Sequence, residues 1–437
     1  MAVYELQLAV VPANLSAEEA HRTFYWTRTG PSSFESTYEP PFGSLSPSLG
    51  RMGPVKSANA DFVRLAVAVF AADRTTPREA GGSNWNQREI ELTVPVAVVE
   101  DWQSVVGELE TLFDLLTGDS WHFRFSQLPV LVGPVAEPRG VPKRIVLLSG
   151  GADSAIGALL SRSQLGAEES HTLLSHVGFT NLKPIQTRVA TRLRLLVRGP
   201  GQRHVQVTLL RKNVQPNGAA LPSEPSSRSR SALFLALGLA EASIHGVPLW
   251  IPENGFASLN PPLGPERRGS LSTKTTHPAF LGGLRTVLPK VGAHADIVNP
   301  FEDKTKGEMF RLAIDLVGQQ SASELLSSTH SCGITGQRAF GVSPSLQCGV
   351  CFGCFVRRAS FAASGLRDES EYIDASSNPR LAAWLVGKSV ERSVRDFVRR
   401  GIRVRDIAAL GLPADYPADR ALDLCRRASE ELQVLLT

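Results

Sequence analysis

Short apolar runs alternate with longer amphipathic segments through the middle of the chain. The apolar runs predict buried strands at 144–148, 172–177, 204–210, 248–251 and 295–298. Apolar residues at helical spacing predict helices at 154–164, 184–198, 231–245 and 305–317. Because strands and helices alternate, the pattern predicts an α/β domain built on a doubly wound parallel sheet. A polar connection at 213–230 is expected to form a lid or binding loop.

The first part of the chain shows a different pattern. Its apolar runs predict strands at 3–11, 62–70, 90–99 and 121–125, and helical spacing predicts one helix at 101–116. Residues 30–53 are rich in Pro, Ser and Gly, which predicts a loop. We expect an accessory α+β domain without a chemical motif. Its tryptophans are expected to be packing residues rather than a binding cage: Trp85, Trp102 and Trp121.

The last part of the chain has a helical pattern interrupted by prolines. Six arginines lie between residues 392 and 405, which predicts a solvated helix face or, alternatively, a surface for an acidic partner. The predicted organisation is an accessory domain at 1–140, an α/β domain at 141–365 and a helical region at 366–437.

Composition and charge exclude fewer classes of function than the pattern of hydrophobic and polar residues does. The chain has 437 residues, 42% of them hydrophobic, and a net charge of +4, so two or three cored domains are expected. The small charge does not indicate nucleic acid as a partner. No run is long and apolar enough to span a membrane, and no basic leader is visible, so we expect a cytoplasmic protein.

One loop has the composition of a phosphate-binding site. Ser149-Gly150-Gly151-Ala152-Asp153-Ser154 lies between a predicted strand and a predicted helix. The glycines let backbone N–H groups face an anion, the serine hydroxyls add donors, and the helix N-terminus adds a positive dipole. No Gly-Lys-Ser/Thr follows, so this is not a Walker A loop. The alternative is an ordinary strand–turn–helix with chance glycines.

Four of the five cysteines lie in one segment, which predicts a structural zinc site. The predicted ligands fill a tetrahedral shell: Cys332, Cys348, Cys351 and Cys354. In a reducing compartment a metal site is favoured over disulfides. Packed thiols and an iron–sulfur cluster are the alternatives. Cys425 stands apart in the helical tail and is expected to be packed or partly exposed.

Together these motifs resemble the QueC family, the 7-cyano-7-deazaguanine synthases, within the PP-loop ATP pyrophosphatases. The loop matches S-G-G-x-D-S, and Ser331-Cys332 with residues 348–357 matches S-C and C-G-x-C-x-x-C-x-x-R. Residues 230–235 resemble R-N-x-x-F-L with Ser in place of Asn, and 299–309 resemble N-P…K-T-K-x-E-I. The resemblance covers about residues 143–365.

One segment departs from that family. The D-x-S-G-Y-x-D-C-R region is absent, and residues 251–263 and 267–278 stand in its place. The sequence of these two segments is most similar to that of the QatC group, which is encoded in bacterial anti-phage operons. This chain also shares the long N-terminal extension of that group. The resemblance therefore implies a role in anti-phage defence and a protein partner or acceptor from the same operon.

The resemblance implies that ATP is cleaved to AMP and pyrophosphate while the carboxylate of 7-carboxy-7-deazaguanine is adenylated. An amine, either ammonia or a protein amine, then attacks to give an amide. The cofactors would be ATP, Mg²⁺ and Zn²⁺. A tRNA-modifying PP-loop enzyme, acting by thiolation or amidation, and a non-catalytic ATP-binding scaffold of a defence complex are the alternatives.

Particular residues are expected to carry out each part of this chemistry. Ser149, Gly150, Gly151 and Ser154 would hold the triphosphate, and Asp153 would bind Mg²⁺ or cap its helix. Charge stabilisation would come from the basic residues Arg230, Lys304 and Lys306. Adenine would meet the backbone of the second strand near Leu174, Ser175 and His176. The predicted substrate residues are Glu253, Asn254, Thr276 and His277, with an Asn254-Gly255 turn as the structural alternative.

The role of residues 1–140 is a separate expectation. The adenylating core has every part it needs without them, so we expect them to recruit the partner or acceptor. The alternative is that they complete the core of the α/β domain.

Overall fold

A computed structural model describes residues 1–27, 30–36, 55–78, 87–128, 140–178, 181–199, 202–224, 228–263, 274–333 and 336–437. Their strands are β1 (Ala2–Gln7), β2 (Thr23–Tyr25), β3 (Phe34–Ser36), β4 (Glu89–Val96), β5 (Ser120–Gln127), β6 (Ile145–Leu147), β7 (Thr172–Val177), β8 (Arg203–Arg211), β9 (Leu249–Trp250) and β10 (Ile297–Val298). The helices are α1 (Ala17–Arg22), α2 (Ser57–Thr75), α3 (Val99–Ser104), α4 (Val106–Thr117), α5 (Ala152–Ser163), α6 (Leu182–Leu196), α7 (Arg230–His245), α8 (Gly255–Leu259), α9 (Pro278–Lys290), α10 (Lys306–Val317), α11 (Gln319–Ser327), α12 (Phe352–Ser364), α13 (Pro379–Val386), α14 (Glu391–Arg400), α15 (Val404–Ala408) and α16 (Ala418–Leu436).

The central sheet has the strand order β10-β9-β6-β7-β8-β3, and its first five strands are parallel. Helices cover both faces. Ile145 and Leu147 of β6 join a core that includes α7, whereas Val146 joins a second core with α5. A strand buried on both faces reads as an unbroken apolar run, which is why the sequence pattern was informative here. The predicted α/β class with a parallel sheet is confirmed.

The order in which the chain adds strands to this sheet reverses at β6. It runs outward from β6 through β7 to β8, then crosses back to place β9 on the other side of β6. In open α/β sheets ligands bind at such a switch point, outside the carboxyl ends of the strands. The loops that follow β6 and β9 meet at this point.

The second sheet corrects two predictions for the N-terminal part. Its order is β2-β1-β4-β5, and all its strands are parallel, joined by helical crossovers. This is an α/β arrangement, so the predicted α+β class is wrong for the described residues. The predicted strand at 62–70 is also wrong, because these residues lie in α2. Most of α2 is buried, and a helix buried all round has no amphipathic period to distinguish it from a buried strand.

The N-terminal part shares its packing with the central sheet. β3 pairs antiparallel with β8 at the sheet edge, and α2 packs on α7 within one hydrophobic core. These contacts support the alternative in which residues 1–140 complete the core of the α/β domain. Recruitment of a partner or acceptor by these residues, and a domain boundary at residue 140, stay predictions. Trp102 and Trp121 are buried as packing residues, whereas Trp85 and the predicted loop at 37–53 lie outside the described residues.

The C-terminal part is helical, as the pattern predicted. α16 packs on α12, and Cys425 is fully buried in their shared core. Three arginines of the basic cluster, Arg395, Arg399 and Arg400, form ion pairs with neighbouring carboxylates, as a solvated face does. Among the helices that the structure describes, none has the length and apolar character needed to cross a bilayer.

Candidate functional site

The loop after β6 is shaped to face an anion. Gly150 has φ +91°, a left-handed conformation that favours glycine, and Gly151 is the N-cap of α5. The hydroxyls of Ser149 and Ser154 lie 3.1 Å apart, and Ser154 donates to the carbonyl of Gly151. Backbone N–H groups, two hydroxyls and the positive end of α5 therefore converge here.

Asp153 turns away from its own helix end and joins three segments. No side chain caps α5, so Asp153 does not act as the cap that we considered. Its Oδ1 lies 2.6 Å from the Lys306 ammonium at the start of α10. Its Oδ2 accepts hydrogen bonds from the side-chain amide of Asn254 at 2.6 Å and from the Asn254 backbone at 3.2 Å. The carboxylate thus ties the loop after β6 to the loop after β9 and to α10.

Glu253 completes this cluster as a second acid. Burial and the adjacent Asp153 carboxylate raise the pKa of Glu253 well above its usual value. Burial opposes ionisation of Asp153 too, but Lys306 and hydrogen bonds hold the pKa of Asp153 below its usual value. The two shifts run in opposite directions, so a proton bound to this pair resides on Glu253 rather than on Asp153. Lys306 at Oδ1 and Asn254 at Oδ2 already contact this carboxylate, so Mg²⁺ bound to Asp153 would share it with them.

The three predicted basic residues occupy different environments. Lys306 is mostly buried at Asp153, whereas Lys304 is exposed. Arg230 begins α7, and its Cδ lies 3.6 Å from where a Cβ on Gly178 would stand, just after β7. The structure thus places Lys306 and Arg230 at the carboxyl ends of the strands.

The start of α7 is held by the N-terminal part of the chain. Asp73 Oδ2 accepts hydrogen bonds from the backbone of Arg228 and Ser229 and, at 2.8 Å, from the Ser229 hydroxyl. Arg88 pairs with the other oxygen of this fully buried carboxylate. No local sequence signal links Asp73 to a residue 156 positions later, so sequence reasoning missed this support for Arg230.

The predicted adenine residues have buried side chains. Ser175 donates to the carbonyl of Leu148 at 2.6 Å, and His176 bonds to the carbonyl of Leu209 at 3.0 Å. Burial lowers the pKa of His176 to about 4, so its ring is neutral at pH 7. Leu174 lies in the core. The backbone at the end of β7 is the part that could meet a base.

The four predicted substrate residues serve different purposes. Asn254 caps α8 by accepting from the Ala257 N–H, and His277 caps α9. Gly255 is the first residue of α8, so Asn254 acts as a helix cap here rather than as part of an Asn-Gly turn. Burial and Lys274 lower the pKa of His277 to about 4. Thr276 lines a cavity of about 520 Å³ between α8, α9 and the segment before α16. Glu253 connects to the same cavity through its backbone, which bonds to a lining residue, Asn299.

The four predicted metal ligands come together. Their Sγ atoms all lie within 4.8 Å of one another, with Cys348–Cys354 at 3.8 Å and Cys332–Cys351 at 3.9 Å. A tetrahedral zinc with bonds of about 2.3 Å separates its sulfurs by roughly 3.8 Å, so the donors fit zinc. Backbone N–H groups of Cys348 and Cys351 point at neighbouring sulfurs, which stabilises thiolates. All positions of such a shell are filled by protein, as in structural sites.

The cysteine segment also touches the anion loop. The backbone N–H of His330 donates to the carbonyl of Gly150 at 2.9 Å. Arg357, fully buried in α12, donates to the Thr329 hydroxyl at 2.7 Å and to the carbonyl of Leu326. A metal that orders this segment would therefore also stabilise the loop.

The fold and the site define an α/β protein with an anion-binding loop at a switch point and a four-cysteine metal-ligand cluster. A 7-cyano-7-deazaguanine synthase of Cupriavidus necator is 30% identical over 252 residues, covering 54% of this chain and 99% of the relative. A synthase of Cupriavidus taiwanensis matches equally, and one of Cupriavidus pinatubonensis is 29% identical. The chain therefore belongs to the 7-cyano-7-deazaguanine synthase family. No family model and no solved structure matches it.

Proposed function

We propose that this protein activates the carboxylate of a 7-deazaguanine with ATP and transfers the acyl group to an amine. The observation that carries the proposal is the cluster of Asp153, Lys306 and Glu253 directly behind the anion loop. Its place at the switch point is where a PP-loop enzyme of Rossmann-like order would hold its nucleotide. The names of the relatives supply the class of substrate.

The first step is adenylation. A carboxylate oxygen of the substrate attacks the α-phosphorus, a P–O bond forms, and pyrophosphate leaves. The loop N–H groups with Ser149 and Ser154 would hold the triphosphate, and Lys306 and Arg230 would oppose the charge that develops on it. Mg²⁺ would arrive with the triphosphate and neutralise the leaving pyrophosphate. Asp153 holds Lys306 and Asn254 in place.

The second step transfers the acyl group. The amine nitrogen attacks the carbonyl carbon of the adenylate, AMP leaves with the electron pair of the C–O bond, and the nitrogen loses a proton. Zinc takes no part in either step and would stabilise the segment beside the loop.

Glu253 and the neighbouring cavity are the proposed substrate side. A protonated Glu253 can donate one hydrogen bond and accept another, which suits the mixed donor and acceptor edge of a guanine-like ring. A cavity of about 520 Å³ is within the size range of small-molecule sites. Glu253 and Thr276, which lies on the cavity wall, are the predicted substrate residues that keep this role in the proposal.

The identity of the acceptor amine is a more specific part of the proposal. Residues 251–263 resemble the QatC group, which supports a protein amine from a defence operon rather than ammonia. The N-terminal part, which precedes the segment that resembles the family at residues 143–365, would then add recruitment to its packing role.

The direct test incubates the purified protein with ATP, Mg²⁺, 7-carboxy-7-deazaguanine and ammonium, and measures AMP and pyrophosphate. Release of both that depends on the acid supports the proposal. Asp153→Asn and Ser154→Ala should each lower turnover by about two to four orders of magnitude, the scale of losing preorganised charge stabilisation. Ser163→Ala, in the same helix but exposed, is the matched control.

Other products would contradict the proposal. ADP and phosphate would exclude adenylation. Binding of ATP without any turnover in the presence of acid and amine would favour the scaffold alternative. Pyrophosphate release that requires tRNA instead of the deazaguanine acid would favour a tRNA-modifying enzyme.

A further inference from the structure

The segment that carries Lys306 is contacted by a helix that lies outside the part of the chain that resembles the family. Residues 143–365 carry the family resemblance, whereas α16 begins at Ala418. From α16, Arg420 pairs with Asp303 and Glu302, and Arg427 pairs with Glu308. The C-terminal helix therefore lies along the segment from 302 to 308.

Glu431 of α16 makes the innermost of these contacts. It is 9% exposed, and one carboxylate oxygen accepts from the hydroxyl of Thr305, which is fully buried. The other oxygen accepts from the backbone N–H of Gly307 at 2.9 Å. Lys306 lies between these two residues, so Glu431 holds the backbone on both sides of it.

The approach is so close that a side chain at one position would displace the carboxylate. A Cβ on Gly307 would lie nearer to Glu431 Oε1 than real atoms allow. Thr305 also accepts from the N–H of Glu308, and Glu308 accepts from the N–H of Thr305, which forms a capping box at the start of α10. A carboxylate at this positive helix end is stabilising in itself.

We infer that Glu431 is a positioning residue that sets where the Lys306 ammonium stands relative to Asp153. Lys306 reaches Asp153 Oδ1 at 2.6 Å, and its Cα position depends on the first turn of α10. Glu431 touches neither the loop nor any reacting group, and it acts through Thr305 and Gly307. Arg311, whose guanidinium lies 3.8 Å from the carboxylate, is the nearest cation to it. The expected effect of Glu431 on catalysis rests on the proposed function.

The primary test measures how accessible the Lys306 ammonium is, which needs no activity. A water-soluble acylating reagent labels surface lysines, and mass spectrometry compares Lys306 with the exposed Lys304 as an internal reference. Glu431→Gln should raise the Lys306-to-Lys304 labelling ratio by about tenfold or more, because it weakens the charge-assisted hydrogen bonds that hold the backbone on both sides of Lys306. Gly307→Ala, which displaces the same carboxylate, should do the same. Glu430→Gln, the exposed neighbour, should leave the ratio unchanged.

A kinetic cycle then tests the consequence. Glu431→Gln should lower kcat for pyrophosphate release with little change in KM for ATP. In a Lys306→Met background it should cause no further loss, because both changes act on one group. Additive losses, or an unchanged labelling ratio in folded Glu431→Gln, would overturn the inference. If that variant does not fold, Glu431→Asp, whose shorter side chain cannot reach both donors, replaces it under the same criteria. A wild-type protein without turnover would refute the proposed function and leave the labelling result to decide the inference.

Discussion

The side-chain amide of Asn254 donates to the Asp153 carboxylate at 2.6 Å, although 101 residues separate them in the chain. One follows β6 and the other follows β9, so this bond closes the switch point of the sheet. It also explains why an Asn that looks like an ordinary helix cap contributes to the candidate site.

Lys306 and Lys304 offer a matched pair of substitutions. Lys306→Met leaves the buried Asp153 carboxylate without its cation, so it should lower the free energy of unfolding by about 3 kcal/mol and abolish pyrophosphate release. Lys304→Met, at an exposed position, should change stability by less than about 0.5 kcal/mol. Urea unfolding and the pyrophosphate assay check both. Equal effects of the two substitutions would show that the contact with Asp153 is unimportant.

The metal prediction concerns the cysteine cluster. Elemental analysis should find about one zinc per chain, as expected for a single four-ligand site, and Cys351→Ser should be unfolded or insoluble. Cys425→Ala, in the core of α16, should keep its full metal content. A soluble, active and metal-free Cys351→Ser protein would contradict a structural metal.

Glu241 predicts a pH dependence of stability. Burial raises the pKa of this carboxyl to about 7, against 4.5 ordinarily, despite the pull of Arg203. Between these values Glu241 binds more protons in the folded state than in the unfolded state, so its contribution to the free energy of unfolding should decline as pH rises from 4.5 to 7. The loss should be about 3 kcal/mol at 1.36 kcal/mol per pKa unit.

Glu241→Gln, which stays neutral, should remove this decline and be more stable than wild type at pH 8. The measurement is urea unfolding at several pH values. Glu430→Gln, at an exposed position, should leave the profile unchanged. A stability difference between wild type and Glu241→Gln that stays constant between pH 4.5 and 7 would show that Glu241 titrates normally.

Deleting residues 1–135 should yield an aggregated protein. The deletion uncovers the edge of β8, where β3 pairs, and the apolar face of α7, where α2 packs. Size-exclusion chromatography and circular dichroism would show the loss of fold. A folded truncated protein that forms the adenylate but no longer modifies its natural acceptor would instead establish recruitment as the role of this part.

The sequence by itself determined the parallel central sheet, the Gly-Ser loop after β6 and the segment that holds the four-cysteine cluster. These features have local signals: a strand buried on both faces is an apolar run, Gly150 is needed for a left-handed turn, and three of the four cysteines lie within seven residues of one another. Even so, local pattern misread residues 62–70, because a helix buried all round looks like a buried strand.

Only the tertiary structure decided which residues complete the site. It placed Lys306 against Asp153 and left Lys304 exposed, and it brought Asn254 to Asp153, Asp73 to Ser229 and Glu431 to Gly307. Each of these contacts joins residues at least 101 positions apart. Their geometry depends on the path of the chain through the sheet and around it. Periodicity and motif spacing report on neighbours along the chain, so they carry no information about such contacts.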